Sequence, residues 1–391
     1  GVSKGTQTSS ATISGDLIIG GYAGATDPMN GYISNIRASD NVRYSSNFTA
    51  PTSALTTDAN TTLLTLQDDT FIDNSGNGNV ITPSGGAEMV SHAPFTAADA
   101  GEGGLVWIKR RDAIVAHLLY DTERGATKSI NSDSTNAEAT RTNGLTSFNS
   151  NGFSLGNASA ENQSTKDLAS WTFRKAPKFF DVVTFTVPTG GASQTISHNL
   201  DAPVGFVITK LTSSGTANWY CFHTSRPNKY LSLDLTSAEG SWTWSSTNTE
   251  IDIGAFYSTN FGGETGVAYF FAHNDGDGDF GPTGDQDIIK CGNYVQGTSS
   301  YDVDLGFEPQ WVLIKSATSV TNWMLFDNMR GLVVGGNDAI LKANTSAVEE
   351  TTDPYLSLSP NGFTSHLDQI TGNQTYIYIA IRRGPMAVPE S

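Results

Sequence analysis

The sequence repeats itself three times with a period near 100 residues, and self-similarity on that scale constrains the architecture more tightly than any single motif. Each unit opens on an apolar strand that ends in lysine: Leu105-Val106-Trp107-Ile108-Lys109, Phe206-Val207-Ile208-Thr209-Lys210 and Trp311-Val312-Leu313-Ile314-Lys315. Eight or nine residues after each lysine begins an aromatic-rich segment: His117-Leu118-Leu119-Tyr120-Asp121, Trp219-Tyr220-Cys221-Phe222-His223 and Trp323-Met324-Leu325-Phe326-Asp327. An Asn-Gly-Phe turn recurs at residues 151–153 and 361–363. The units close on residues 170–174, 267–272 and 376–382. Between these landmarks lie Gly, Ser, Thr, Asn and Asp, the turn-formers that alternate with short strands in a sandwich rather than in a βαβ fold.

The chain holds 40 glycines and only 16 % charged residues, and helical periodicity is nearly absent. The expected fold class is therefore all-β, with antiparallel β-sandwich repeats at residues 96–190, 191–294 and 295–391 arranged as beads along an extended array. The connectors 196–203 and 303–309 each place a proline just before the next opening strand, where its missing N–H costs no ladder bond. Residues 1–95 differ. Asp16-Leu17-Ile18-Ile19-Gly20-Gly21 and Gly31-Tyr32-Ile33-Ser34-Asn35-Ile36-Arg37 read as two strands, too few to complete a sandwich. This first domain is expected to be partial, its initial strands supplied elsewhere.

With 22 Lys and Arg against 39 Asp and Glu, the formal net charge of −17 repels a phosphate backbone or an anionic membrane surface. No window of about 18 apolar residues reads as a membrane span. Cys221 and Cys291 lie in separate apolar segments and read as small buried hydrophobes rather than metal ligands. The histidines at 92, 117, 198, 223, 273 and 366 follow no zinc spacing.

Gly31 to Arg37, Tyr44-Ser45-Ser46-Asn47-Phe48-Thr49-Ala50-Pro51 and Phe71-Ile72-Asp73-Asn74-Ser75 resemble the C-terminal half of laminin-G-like, concanavalin A-type jelly rolls. The later units resemble repeats of tail-fibre and other virion proteins of marine phages, cyanophages among them. The resemblance rests on Val267 to His273, Ile289-Lys290-Cys291-Gly292, Leu305 to Lys315 and Phe326-Asp327-Asn328-Met329-Arg330-Gly331. It implies a non-enzymatic virion protein, a tail fibre or host-facing appendage, whose partners are other virion proteins and a host-surface glycan or protein. It also implies a homo-oligomer, usually a trimer, on the outer face of the particle. A capsid decoration protein and a polysaccharide depolymerase are the alternatives.

Three constellations carry candidate chemistry. The run Asn274-Asp275-Gly276-Asp277-Gly278-Asp279, with Asp287 beyond it, presents alternating carboxylates on a Gly-flexed loop; Asp275, Asp277, Asp279 and Asp287 are the expected ligands if calcium binds. Trp242 and Trp244, one residue apart, would share one side of a strand as a stacking platform for a sugar ring. Glu250-Ile251-Asp252-Ile253 has the spacing of a glycosidase carboxylate pair, but Gly254 stands where such a strand continues to a second catalytic carboxylate. An ordinary strand with one polar face accounts for it, and no catalytic residue is assigned.

Overall fold

The computed structural model describes residues 17, 19, 33, 36–43, 55–66, 71–83, 103–149, 152–281, 284–367 and 373–383. It divides into two compact units, residues 1–101 and 102–391. In the first, β1 (Ile36–Ser39) pairs antiparallel with β2 (Thr61–Thr65). The Asp73 carboxylate, inside the jelly-roll-like segment, accepts the backbone N–H groups of Leu64, Ser75 and Asn79 and so pins the following loop to β2. Most of the strand expected at 16–21 and of segment 31–37, and all of segment 44–51, lie outside the described residues.

Among its described residues the second unit is all-β apart from one helical turn. Its first repeat runs β3 (Gly104–Arg110), β4 (Leu118–Asp121), β5 (Lys128–Asn131), β6 (Ala139–Thr140), β7 (Leu145–Asn149), β8 (Gly152–Leu155) and β9 (Leu168–Arg174). The second runs β10 (Phe180–Thr186), β11 (Thr195–Ser197), β12 (Val204–Leu211), β13 (Tyr220–His223), β14 (Lys229–Ser232), β15 (Gly240–Ser241), β16 (Ser245–Ser246), β17 (Glu250–Asp252), α1 (Ser258–Phe261) and β18 (Thr265–Ala272). The third runs β19 (Ile289–Gln296), β20 (Tyr301–Asp304), β21 (Pro309–Ser316), β22 (Met324–Asp327), β23 (Leu341–Lys342), β24 (Leu356–Ser359), β25 (Gly362–Ser365) and β26 (Gln374–Arg382).

Each repeat builds one large sheet, ordered β6-β5-β4-β3-β9, β10-β18-β12-β13-β14-β15 and β19-β26-β21-β22-β23, and one small sheet, β7-β8, β11-β17-β16 and β20-β25-β24. The opening and closing strands of every repeat are antiparallel neighbours in the large sheet. Two strands cross the expected repeat boundaries. β10 precedes residue 191 yet pairs with β18 of the second repeat, and β19 begins before residue 295 yet pairs with β26 of the third.

The opening strands are buried on both faces, and in the first and third repeats their two side-chain rows serve different cores. Leu105 and Trp107, Phe206 and Ile208, and Trp311 and Leu313 all enter one cluster fed by all three repeats. The alternate row, Val106 and Ile108 or Val312 and Ile314, faces the repeat's own small sheet, against Leu145 in the first repeat and Phe363 in the third. In the shared cluster Phe173 of the first repeat meets Phe271 of the second at 5.4 Å and Trp311 of the third at 5.3 Å, both edge-on. The repeats are therefore not beads. They surround one common core, because a large sheet whose both faces are apolar must be covered twice.

The joints between repeats are copies of one another and form a ring. The backbone N–H of Glu138 donates to Thr212 O, that of Glu239 to Ala317 O, and that of Glu349 back to Arg111 O, at 2.8, 2.8 and 2.9 Å. Each of these glutamates also takes an arginine of its own repeat, Arg124, Arg226 and Arg330 respectively. The indole of Trp219 reaches Asn131 O and that of Trp323 reaches Ser232 O, both at 2.8 Å. At the end of each second strand a polar side chain reaches the closing strand of the next repeat. Asp121 accepts from Tyr269 Oη, His223 Nε2 meets Tyr378 O, and Asp327 accepts from Trp171 Nε1.

The three opening-strand lysines are buried at these joints. Lys210 Nζ donates to Thr135 O of the first repeat as well as to Ser214 O and Ala217 O of its own. Lys315 Nζ likewise reaches Thr236 O of the second repeat, then Ser316 O, Ser319 O and Thr321 Oγ1. Lys109 reaches Arg110 O and Ala113 O, both of its own repeat, while Ser346 O, the carbonyl across its joint that corresponds to Thr236 O, accepts the backbone N–H of Val115. Burial pushes all three amines down to about 8.

Candidate functional site

The two tryptophans singled out in the sequence part company. Residues 242–244 link β15 to β16, so the pair does not stand together on one strand face. Trp242 is half-buried. Its indole N–H donates to Ile253 O at 2.8 Å, its ring lies edge-on to Phe256 at 5.0 Å, and its backbone N–H donates to Asn228 O. Trp244 turns instead toward Phe222, with ring centroids 5.9 Å apart, and its indole nitrogen is buried.

Trp242 borders an open depression of about 530 Å³ whose other walls are Asn228, Lys229, Ser241 and Thr243. Asn228 enters β14 with φ at +64°, a left-handed conformation that asparagine tolerates better than most residues. Lys229 Nζ is held by Ser241 Oγ at 3.2 Å and lies 3.9 Å from Glu239, which ties the depression to the second joint through Arg226. One aromatic ring, an amide, two hydroxyls and an ammonium is a composition suited to a sugar: the ring takes a C–H face while the polar groups take hydroxyls. Because the Trp242 N–H is already bonded, the ring supplies surface and the neighbours supply hydrogen bonds. Asn228 and Lys229 carry no motif, and only the folding of β14 beside β15 brings them to Trp242.

The Asp-rich loop is internally satisfied. Asp287 accepts the backbone N–H groups of Gly276 and Gly278, and Asp277 accepts that of Asp275. Lys290 lies 3.8 Å from both Asp275 and Asp287, and Lys178 pairs with Asp279 at 2.9 Å. The four carboxylates face two lysines and the loop backbone rather than a common point. Among the described residues no group of three His, Cys, Asp or Glu is placed to hold a metal ion. The carboxylates expected to bind calcium are thus engaged by two lysines and by amide N–H donors of the loop.

Glu250 and Asp252 fall on β17, the central strand of its small sheet. The Asp252 carboxylate is held below its usual range first by the Ser193 hydroxyl and then by the Gly254 N–H. That shift is opposite to what a general acid requires. Burial pushes the thiols of Cys221 and Cys291 up, and both are free. Burial also lowers His117, His198, His223 and His273, and His223 falls to about 4. They are neutral structural groups at neutral pH.

An all-β chain of antiparallel sandwich layers, with its repeats sharing one core, is the class that fold and surface define. Residues 92–385 match the family described as a domain of unknown function (DUF7483), and the chain belongs to that family. No curated protein and no solved structure matches it.

Proposed function

We propose that this chain is a non-enzymatic structural protein of a phage virion, part of a tail fibre or other host-facing appendage, and that it contacts host-surface glycan through the Trp242 depression. The observation that carries the reading is an aromatic-floored, hydroxyl- and amide-lined surface set on a scaffold whose repeats are tied to one another by duplicated joints. A rigid β framework presenting loop residues is a common arrangement for recognition. The resemblance of residues 267–273, 289–292 and 305–315 to phage virion repeats supplies the context. Several weak sugar contacts on one particle would add through avidity, so a shallow site suffices.

Imaging of the intact particle tests the virion role: chains radiating from the tail with free outer loops support attachment, whereas chains buried in the capsid lattice refute it. Glycan binding is tested with purified host envelope polysaccharide. Trp242→Ala is expected to weaken binding about tenfold, the worth of one aromatic contact. Undiminished binding by a folded Trp242→Ala protein removes the depression from the reading.

A further inference from the structure

We infer that the glycan taken by the Trp242 depression is acidic, its ring carrying a carboxylate or a sulfate ester that Lys229 receives; this rests on the glycan reading of that depression and adds the charge of the ligand. Three equivalent charge clusters, one beside each joint, differ in a way that points to it. In the first repeat Arg124 holds Asp121 at 2.6 Å and reaches Glu138 at 3.3 Å, and Lys128 lies 3.4 Å from Glu138. In the third, Arg330 holds Asp327 at 2.5 Å and Glu349 at 2.7 Å, and Arg111 holds Glu349 at 2.6 Å. Two cations balance two carboxylates in each.

The second repeat breaks that balance. Opposite the start of the opening strand, where the other repeats place Asp121 and Asp327, it places His223. Burial keeps this imidazole neutral at neutral pH. With no aspartate to hold, Arg226 takes both oxygens of Glu239, Nε donating to Oε2 at 2.7 Å and Nη2 to Oε1. Lys229 lies 3.9 Å from that carboxylate, whose oxygens are already engaged, and among the described residues no other carboxylate pairs with it. Two cations face one carboxylate, so one ammonium charge is left over at the wall of the depression. The Lys229 side chain is 35 % exposed, and a ligand can therefore reach it.

The other repeats lack this combination. Lys128 is the counterpart of Lys229, the two standing opposite Thr140 and Ser241 respectively. Arg141 then lies where Trp242 lies: its backbone N–H donates to Thr127 O as that of Trp242 donates to Asn228 O. The first repeat thus has an arginine, already bound to Glu161, in place of the aromatic wall. In the third repeat Ala339 holds the lysine position. Among the described residues, only the second repeat joins an indole to an unmatched ammonium. The remaining walls, Asn228, Ser241 and Thr243, add no negative charge, and the Asn228 amide carries donors for an anion seated on Lys229. The chain's net charge of −17 repels anions overall, but salt screens that field beyond about 8 Å, so the ammonium in contact with the ligand decides.

The test follows the Trp242 and Asn228 side-chain N–H resonances of the full chain by NMR, a readout that registers weak binding. The probes are oligogalacturonate with its neutral methyl ester, and a sulfated oligogalactan with its desulfated form. An anionic probe is expected to bind about fivefold tighter than its neutral partner, the worth of one partly exposed ion pair, and the preference should shrink as salt rises. Which of the two pairs shows it tells carboxylate from sulfate. The preference should persist in Lys229→Arg, vanish in Lys229→Gln and be untouched by Lys128→Gln. Equal affinity for charged and neutral probes, weakened alike by Trp242→Ala, overturns the inference and leaves the glycan reading standing. A preference that survives Lys229→Gln also overturns it, by placing the anion elsewhere. No shift with any of the four probes overturns it as well, and the glycan reading falls with it only if host envelope polysaccharide is unbound too.

Discussion

Replacing Lys315 by methionine should destabilise the second unit more than the same change at Lys109, although both amines are buried at homologous positions. The substitution keeps most of the volume and removes the charge. Burial pushes both lysines down to about 8, so the relief from no longer desolvating an ammonium is similar at the two sites and cancels in the comparison. What differs is the set of acceptors left behind. Lys315 serves Thr236 O, Ser316 O, Ser319 O and Thr321 Oγ1, whereas Lys109 serves Arg110 O and Ala113 O. Each buried acceptor stranded without a donor costs roughly 1–3 kcal/mol, and water that reaches part of the site lowers that figure. Thr236 O keeps the Thr321 N–H when the amine goes, so the one extra acceptor stranded at Lys315 is Thr321 Oγ1, and the expected difference is about 1 kcal/mol with Lys315→Met the less stable. Urea unfolding at pH 7 measures it directly as a shift in midpoint at constant slope. Equal losses, or a larger loss at Lys109, would refute the view that the cross-joint lysine holds neighbouring repeats together.

Stability should also fall as pH drops from 6.5 toward 4. Burial holds folded His223 at about 4, so the unfolded chain binds a proton in that window that the native state does not, a loss of about 3 kcal/mol at that residue. Asp234, pushed up by burial to about 6, works in the opposite sense and offsets part of it. A flatter pH profile for His223→Gln, measured by thermal melting, is the expected signature. Added calcium should leave the melting temperature unchanged, because Lys178, Lys290 and backbone N–H groups already occupy the Asp-rich loop; a rise that saturates with calcium would show otherwise. A chain ending at residue 287 should lose the cooperative transition of its remaining repeats rather than shed a bead. Trp171 would lose Asp327, His223 would lose Tyr378 and Arg111 would lose Glu349, and near-ultraviolet circular dichroism would register the loss.

The period near 100 residues and the strand landmarks were legible because burial on both faces of a strand writes a continuous apolar run, and Leu105 to Lys109 or Trp311 to Lys315 is such a run. The ring was not. A run buried on both faces states that two partners exist, not whether the second is the repeat's own small sheet or a neighbouring repeat, and only the Phe173, Phe271 and Trp311 contacts decide it. The terminal lysines were visible as markers, but a lysine after four apolar residues reads as a strand end snorkelling to water. Nothing local discloses that carbonyls of the previous repeat receive Lys210 and Lys315. The tryptophan pair misled for a related reason. An i, i+2 spacing implies a shared face only within a strand, and residues 242–244 are a link in which the chain changes sheets. The Asp-rich loop had the composition of a cation site, and its occupation by Lys178, nearly a hundred positions away in sequence, could not be read from its spacing.

The same joints bear on where the proposed glycan surface sits. At each joint the polar contacts form a band around the shared apolar cluster, and their residues are fixed by what they touch in the neighbouring repeat. A substitution there disturbs two repeats at once. Residues 240–244 of the second repeat are coupled to that band only through Glu239, Arg226 and Lys229. The hydrogen bonds of Ser241 and Trp242 stay within the second repeat, and residues 242–244 cross from its large sheet to its small one beside the depression. Trp242 is anchored there by its indole N–H and by Phe256 while one side of the residue borders the depression. A residue held in place by its own repeat and not needed by the next can change without loosening the ring. If the depression binds glycan as proposed, specificity can therefore vary at Asn228, Lys229, Ser241 and Thr243 while the lysine, tryptophan and glutamate positions of the joints stay constant.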